Sequence, residues 1–353
     1  MAMSGGVDSS VAAALMVRRG FQVIGLTMQI WQESQTDHRH AGCCSLGAVE
    51  DARRIGRALG IPHYVVNYRD EFRDKVIVDF IEEYGAGRTP NPCIQCNRHL
   101  KFAHLLAKMR ELGCRTLVTG HYARVRHLAD GSHRLLAARA SEKDQSYVLY
   151  MLDQGSLAVS CFPLGELGGK DITRRMAAEL GLHVADKPDS QEICFVGEAG
   201  GYREFLGKVR PEMFVGGEIV DADGRVLAEH DGIAGFTVGQ RRGIRVAAKN
   251  GKALYVIRIE PATRRVVVGE NDELLTRTVG LDRLFWSSGE PAEGPVPVFA
   301  KIRYNMDAQP AVLWGGDDPR IVFDSPVRAV TPGQTAVAYR GKTVIAGGTI
   351  RQT

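Results

Sequence analysis

Apolar and polar positions follow two different textures along this chain. Up to about residue 200, apolar runs such as FQVIGLTM, PHYVVN and TLVTGHYA alternate with segments such as VEDARRIGRALG, FRDKVIVDFIEEYGAG and HLLAKMRELG, where apolar residues recur every three or four positions. The runs predict strands buried on both faces, and the longer-period segments predict helices crossing between them. That alternation points to a parallel sheet with helical crossovers. Beyond residue 200 the texture changes. GGEIVDADGRVLAEHDGIAGFTVGQRRGI is rich in glycine and turn residues, and from residue 253 ALYVIRIE, RRVVVGE, VPVFAKIRY, PRIVFD and TAVAYRGKTVIAGGTI read as strands separated by DG, PG and RG turns. Short strands with such turns predict a β-barrel. The expected fold class is α/β, with a parallel-sheet domain over 1–200, a small glycine-rich, mostly β domain over 201–270 and a C-terminal all-β barrel over 271–353.

Composition leaves that picture standing and adds a partner class. The 353 residues allow two or three cores, and 44% hydrophobic with 24% charged residues is the balance of an ordinary globular protein. No apolar run approaches the length of a membrane span and no signal-peptide pattern is visible, so a cytoplasmic location without a membrane partner is expected. The net charge of +4 is small, yet basic residues gather at Arg53, Arg54 and Arg57, at Arg98 and Lys101, and at Arg241, Arg242 and Arg245. Such clusters permit a polyanionic partner. Seven cysteines argue against a structural disulfide framework and for metal or redox chemistry in some of them.

The opening segment MAMSGGVDSSVAAALM carries the first candidate chemistry. Its glycines let successive backbone N–H groups point into one concavity at the start of a helix, whose positive end attracts phosphate. Asp8 would repel phosphates unless a divalent cation lay between, so the loop suggests a nucleotide with Mg²⁺. A capped glycine turn is the plainer reading, but the seven-residue string SGGVDSS is more specific than a lone glycine pair. It is not the kinase-type P-loop, because no lysine follows the second glycine. It resembles the PP-loop of ATP pyrophosphatases, which implies cleavage of ATP between the α and β phosphates. The same resemblance implies ATP contacts from Ala2, Met3, Ser4, Gly5, Gly6, Val7, Asp8 and Ser9, from Met28 in LTMQIW beside the adenine, and from Gly120 in VTGHYA. Only Met1 to Met3 precede the loop, where a buried strand normally enters; either the coding start lies upstream or the central strand is short.

The cysteines supply the second chemistry. Cys93 and Cys96 stand in TPNPCIQCNRHLKF, where Pro90 and Pro92 predict a rigid loop in place of a regular helix, and Arg98 and Lys101 favour thiolate. Cys194 lies in KPDSQEICFVG between Ile193 and Phe195, equally readable as a buried inert thiol. A CxxC is also half a zinc site; no second pair follows at the usual spacing, although His99 and His121 are available. Adjacent Cys43 and Cys44 read as local packing, and Cys114 and Cys161 as core.

With SGGVDSS, AGRTPNPCIQCNRHLKF, TGHYA, KDQSYVLY, DSQEICFVGE, TVGQRRG and TPGQTAVAY in this order, the chain resembles the tRNA-specific 2-thiouridylases, the MnmA family, over essentially its whole length. The resemblance implies an ATP-dependent sulfurtransferase that replaces the C2 oxygen of the wobble uridine with sulfur in tRNAs of the Lys, Glu and Gln types. By that reading the PP-loop adenylates the uridine C2 oxygen and Cys194 carries sulfur as a persulfide delivered by a cysteine desulfurase or relay protein. Cys96 then releases the sulfur through a transient disulfide with Cys194. Asn91, Pro92 and Cys93 would face the target base, Lys143, Asp144 and Gln145 would touch the tRNA, and Arg303 and Tyr304 would touch it from the barrel; no DNA partner is expected. The family usually has Asp where this chain has Cys93, so Cys93, Cys96 and Cys194 could instead hold a 4Fe-4S cluster with one iron open to external sulfide. Two other classes share features with the chain. A PP-loop synthetase of the argininosuccinate or GMP type has no use for the cysteines or the barrel, and a non-catalytic RNA-binding protein has no use for SGGVDSS.

Overall fold

The computed structural model describes residues 1–31, 46–189, 193–244, 246 and 252–352. Cys43, Cys44 and Arg245 lie outside these residues. In the N-terminal region the strand Gly25–Gln29 pairs in parallel with His63–Asn67, and Leu117–Val118 pairs in parallel with Ser160–Cys161. Met1 to Met3 run between the two pairs. Ala2 bridges Leu26 in parallel, its N–H donates to the Val118 carbonyl at 2.8 Å, and the Met3 N–H donates to the Leu26 carbonyl at 2.8 Å. Three residues thus occupy the central position and join the pairs into one parallel sheet. The chain turns from Met3 through the glycines into the helix Val7–Arg18, which buries Val7, Val11, Ala12, Ala13 and Met16 against Ala52, Ile55, Leu164 and Ala177.

The expectation of a rigid loop through Pro92 is corrected by the structure. Pro92 is the first residue of the helix Pro92–Gln95, which runs on continuously to residue 111 and widens to π-type geometry over Cys96–His104. Proline suits that first position because its missing N–H would have no helical partner there, and the Asn91 side chain accepts from the Cys93 N–H at 3.2 Å to cap the turn.

The central region holds the helix Tyr202–Val209 and a four-stranded sheet in the order Val226–His230, Gly217–Val220, Arg265–Gly269, Tyr255–Glu260. The C-terminal region is a closed barrel of six strands in the order Leu275–Trp286, Arg320–Arg328, Gln309–Trp314, Val296–Lys301, Thr335–Arg340 and Thr343–Ile350, and the first and last strands pair to close it. Ala300, Ala336, Ala338 and Ala346 alternate inside with Val298, Leu313, Ile321 and Phe323, so small and large side chains share a narrow interior. One element crosses the expected division. The hairpin Ala123–His127/His133–Ala137 pairs with the barrel strand Thr343–Ile350 instead of the N-terminal sheet, because an isolated two-stranded hairpin is marginal and gains by adding its edge to a larger sheet.

Candidate active site

The loop, two strand ends and the CxxC helix enclose a cavity of about 310 Å³ at the carboxyl end of the parallel sheet, the edge where open α/β sheets bind ligands. Ala2, Met3, Ser4, Asp8 and Ser9 line it from the loop, Met28 and Gly120 from the neighbouring strand ends, and Pro92, Cys93, Cys96, Gln145 and Cys194 line it from further along the chain. Residues as far apart in sequence as Ala2 and Cys194 therefore face one space.

The loop is built to stay in shape. Gly5 has φ +66°, and a Cβ there would run into the Ala48 carbonyl oxygen, so only glycine fits. Ser9 Oγ donates to the Gly6 carbonyl at 3.1 Å and accepts from the Ser4 N–H at 3.2 Å, while Ser10 Oγ donates to the same Gly6 carbonyl at 2.9 Å. Gly120 lies against the backbone of Asp8 and Ser9. Val7 is 3% exposed and belongs to the core, and neither Gly5 nor Gly6 lines the cavity with the rest of the loop.

Asp8 has a partner that the sequence reading missed. Lys170 Nζ donates to both Asp8 carboxylate oxygens at 2.7 Å and lies 2.8 Å from Asp189 Oδ1, and the Tyr122 hydroxyl donates to Asp8 Oδ1 at 2.8 Å. Lys170 is 9% exposed and is the first residue of the helix Lys170–Glu179, where the helix dipole disfavours a cation; two carboxylates offset that cost. A lysine at a helix start was the one signal available. Burial pushes the Asp189 carboxyl up, but the Lys170 hydrogen bond and the charges of Lys170, Lys143 and Arg174 outweigh it and hold the group below its ordinary value. Lys187 Nζ donates to the Gly5 carbonyl at 3.0 Å and to Asp51 at 2.7 Å. Residues 187 and 189, shortly before Cys194, are thereby tied to the nucleotide loop.

This arrangement bears on the metal expectations. The Lys170 ammonium supplies compensating charge of the kind that suggested Mg²⁺, and Lys170 and Tyr122 together make three hydrogen bonds to the Asp8 carboxylate. Among the described residues no three His, Cys, Asp or Glu side chains gather in a way that would hold a metal ion. The three thiols share the cavity wall without forming that set, and the His99 and His121 zinc alternative finds no support. Burial, with the nearby Lys101 charge, drives the His121 pKa well below its ordinary value, so the ring is neutral, and its Nδ1 lies 2.7 Å from Thr119 Oγ1.

At the thiol end the walls are apolar. Cys93 is exposed, whereas Cys96 is 9% exposed and packs in a cluster with Ile30, Phe72, Val76, Phe80 and Phe195, against which Cys194 also rests. All five described cysteines are thiols. Cys114 and Cys161 are half-buried and pack against separate cores. Of the two cations expected to act on the CxxC, Lys101 lines this cavity and Arg98 does not; Arg98 lines a second, polar cavity of about 230 Å³ between the CxxC helix and the barrel, with Asn91 and Tyr150.

The expected tRNA-contact residues are partly engaged within the protein. Asp144 accepts from the Ala138 N–H, the Ser146 N–H and the Ser146 hydroxyl, and Gln145 Oε1 accepts from the Tyr122 N–H at 3.0 Å. Lys143 Nζ is 3.5 Å from Asp189. Ser146 and Tyr147 then reach the barrel, where the Tyr147 ring is 6.0 Å from Tyr304 and the Lys301 ammonium lies 5.6 Å and 5.7 Å from the two ring centroids. Arg303 is exposed beside them and donates to the Arg328 carbonyl at 3.3 Å.

Three family models match the chain in sequence: the tRNA methyl transferase HUP domain over residues 1–198, the tRNA methyl transferase PRC-barrel domain over 203–270 and the aminomethyltransferase beta-barrel domain over 276–350. The chain is 45% identical over 352 residues to the tRNA-specific 2-thiouridylase MnmA of Lachnoclostridium phytofermentans, covering 99% of this chain and 98% of the relative. It is 47% identical over 363 residues to the protein of that name from Methylorubrum extorquens, covering 100% and 93%. The chain belongs to the MnmA family of tRNA-specific 2-thiouridylases. The HUP match is consistent with nucleotide binding at the SGGVDSS loop. The family models speak of methyl transfer while the relatives' names speak of thiolation, and three thiols lining one cavity favour thiolation. Among the described residues, no helix is long and apolar enough to cross a membrane.

Proposed function

We propose that this protein is an ATP-dependent tRNA-uridine 2-sulfurtransferase, and the observation that carries the reading is the single cavity joining the PP-loop to Cys93, Cys96 and Cys194. The chemistry needs both ends. A uridine C2 carbonyl is resonance-stabilised and a poor electrophile, so its oxygen first attacks the α phosphate of ATP and pyrophosphate departs. AMP on that oxygen is then a good leaving group. The loop N–H groups and the helix start hold the phosphates, and Lys170, paired to Asp8, keeps the loop's charge balanced while they change. The terminal sulfur of a Cys194 persulfide attacks C2 and expels AMP. The Cys96 thiolate then attacks the Cys194 sulfur, which frees 2-thiouridine and leaves a Cys96–Cys194 disulfide for an external dithiol to reduce.

Pro92 and Cys93, which line the cavity, and Asn91, which caps the Cys93 N–H, are the residues proposed to face the flipped base, and an anticodon-loop base is extruded far more cheaply than one in a duplex. Lys143, Gln145, Arg303, Tyr304 and Lys301 form the surface proposed to meet the tRNA. Asp144 acts from within, as the cap that shapes that surface. Wobble-uridine tRNAs of the Lys, Glu and Gln types are the proposed substrates, with a cysteine desulfurase or relay protein as sulfur donor. The test follows α-labelled ATP to AMP with and without bulk tRNA, and 2-thiouridine by mass spectrometry. Strong tRNA dependence with product is expected; AMP formation driven by a small metabolite, with none from tRNA, would overturn the reading.

A further inference from the structure

Two of the sequence strings have no part in the chemistry above: TVGQRRG in the central region and TPGQTAVAY at the entry to the barrel strand Thr335–Arg340. The structure brings both onto Thr89, four positions before Cys93. The Thr89 N–H donates to the Pro332 carbonyl at 2.8 Å, its hydroxyl donates to Thr237 Oγ1 at 3.2 Å, and its carbonyl accepts from Gln334 Nε2 at 2.9 Å. Gln334 Nε2 also donates to the Pro90 carbonyl at 3.3 Å. Both acceptors are carbonyls, so the side-chain amide must present its nitrogen to them. The approach is close: Gly333 has φ +87°, and a Cβ there would lie 2.9 Å from the Thr89 nitrogen.

The platform is rigid and the tether is short. The Gln334 backbone donates to the Thr331 carbonyl at 3.1 Å and accepts from the Ile350 N–H at 2.7 Å, and Thr331 Oγ1 reaches the Val238 carbonyl at 3.5 Å. Between Thr89 and Cys93 lie two prolines with fixed φ and Asn91, whose side chain caps the Cys93 N–H. Few torsions remain between the clamp and the thiols. We propose that Gln334 is a positioning residue, acting through Thr89 and Pro90, which sets the placement of the Cys93–Cys96 turn in the cavity from a barrel 244 positions away in sequence. The inference rests on the proposed function only in taking those thiols as the reacting groups.

The test uses the full chain with Gln334→Glu, which keeps the shape and loses the donor, and Gln334→Ala. Iodoacetamide labelling of each cysteine is followed by mass spectrometry, with Cys114 and Cys161 as internal standards remote from the clamp. Both variants are expected to label Cys96 about tenfold faster than the parent while Cys114 and Cys161 stay within about twofold. In tRNA thiolation kcat is expected to fall about tenfold or more at an unchanged KM for tRNA. Unchanged Cys96 labelling, or equal acceleration at all the cysteines, would overturn the proposal. A parent protein that never thiolates tRNA would overturn the functional reading and leave the labelling ratio to judge the clamp.

Discussion

At its loop end the cavity is lined by Asp8, which is paired to Lys170 and through it to Asp189, and at its thiol end by Ile30, Phe72, Val76 and Phe195 around Cys96. On the proposed function, the loop end meets the charge that moves during ATP cleavage, where fixed partners lower the cost of rearrangement. On the same reading, the thiol end shields the Cys96 sulfur from water, where packing matters more than charge. If the proposed function holds, the two chemistries in this cavity fail separately.

The largest effect should come from the thiol end. Cys194→Ser and Cys96→Ser are each expected to abolish 2-thiouridine formation while tRNA-dependent AMP release persists, measured by mass spectrometry and labelled ATP. Loss of AMP release in both would break the division between the ends. At the loop end, Asp8→Ala and Lys170→Met should each reduce AMP formation by about 10²-fold or more with tRNA binding retained. Lys170→Met should lower the melting temperature more than Asp8→Ala, because it leaves two carboxylates without their shared ammonium.

Packing effects come next. Phe195 is 1% exposed, with its ring centroid 5.1 Å from those of Phe80 and Phe205, so Phe195→Ala should cost about 3–5 kcal/mol in denaturant unfolding and impair sulfur transfer more than AMP release. On the surface, Arg303→Ala should reduce the slope of log K for tRNA against log salt by about 0.7–0.9, read from filter binding across a salt series.

The smallest effect is a pH dependence. Burial lowers the pKa values of His63, His99, His121 and His230, so the unfolded chain binds protons that the folded one refuses. This stability is fully present above the unfolded histidine pKa of about 6.5 and is lost as pH falls from there toward the depressed folded values. The melting temperature should drop between about pH 7 and pH 5, and a flat profile would show that these rings are not held neutral by burial.

Much of this molecule was legible in order along the chain. SGGVDSS marks the loop because backbone conformation and helix start are set by residues within one turn, and the period of VEDARRIGRALG or the turns of TAVAYRGKTVIAGGTI mark helix and strand for the same local reason. Pro92 was misread because the same residue stops a helix in its interior and starts one at its first position, and only the cap from Asn91 distinguishes the two. The hairpin at 123–137 went unread in the sequence, and no local pattern there says whose edge it joins.

What the sequence determined by itself was the glycine loop at the start of the first helix, the helix and strand alternation, the barrel and the set of candidate thiols. The tertiary structure alone decided that Lys170, 162 positions from Asp8, pairs with Asp8 at the loop, and that Arg98 and Lys101 face different cavities. It alone brought Gln334 to Thr89. Those choices belong to surfaces that meet only after burial. A charge is paired, or a carbonyl satisfied, by whichever group the packing of distant segments leaves within about 3 Å, and no local pattern encodes that neighbour.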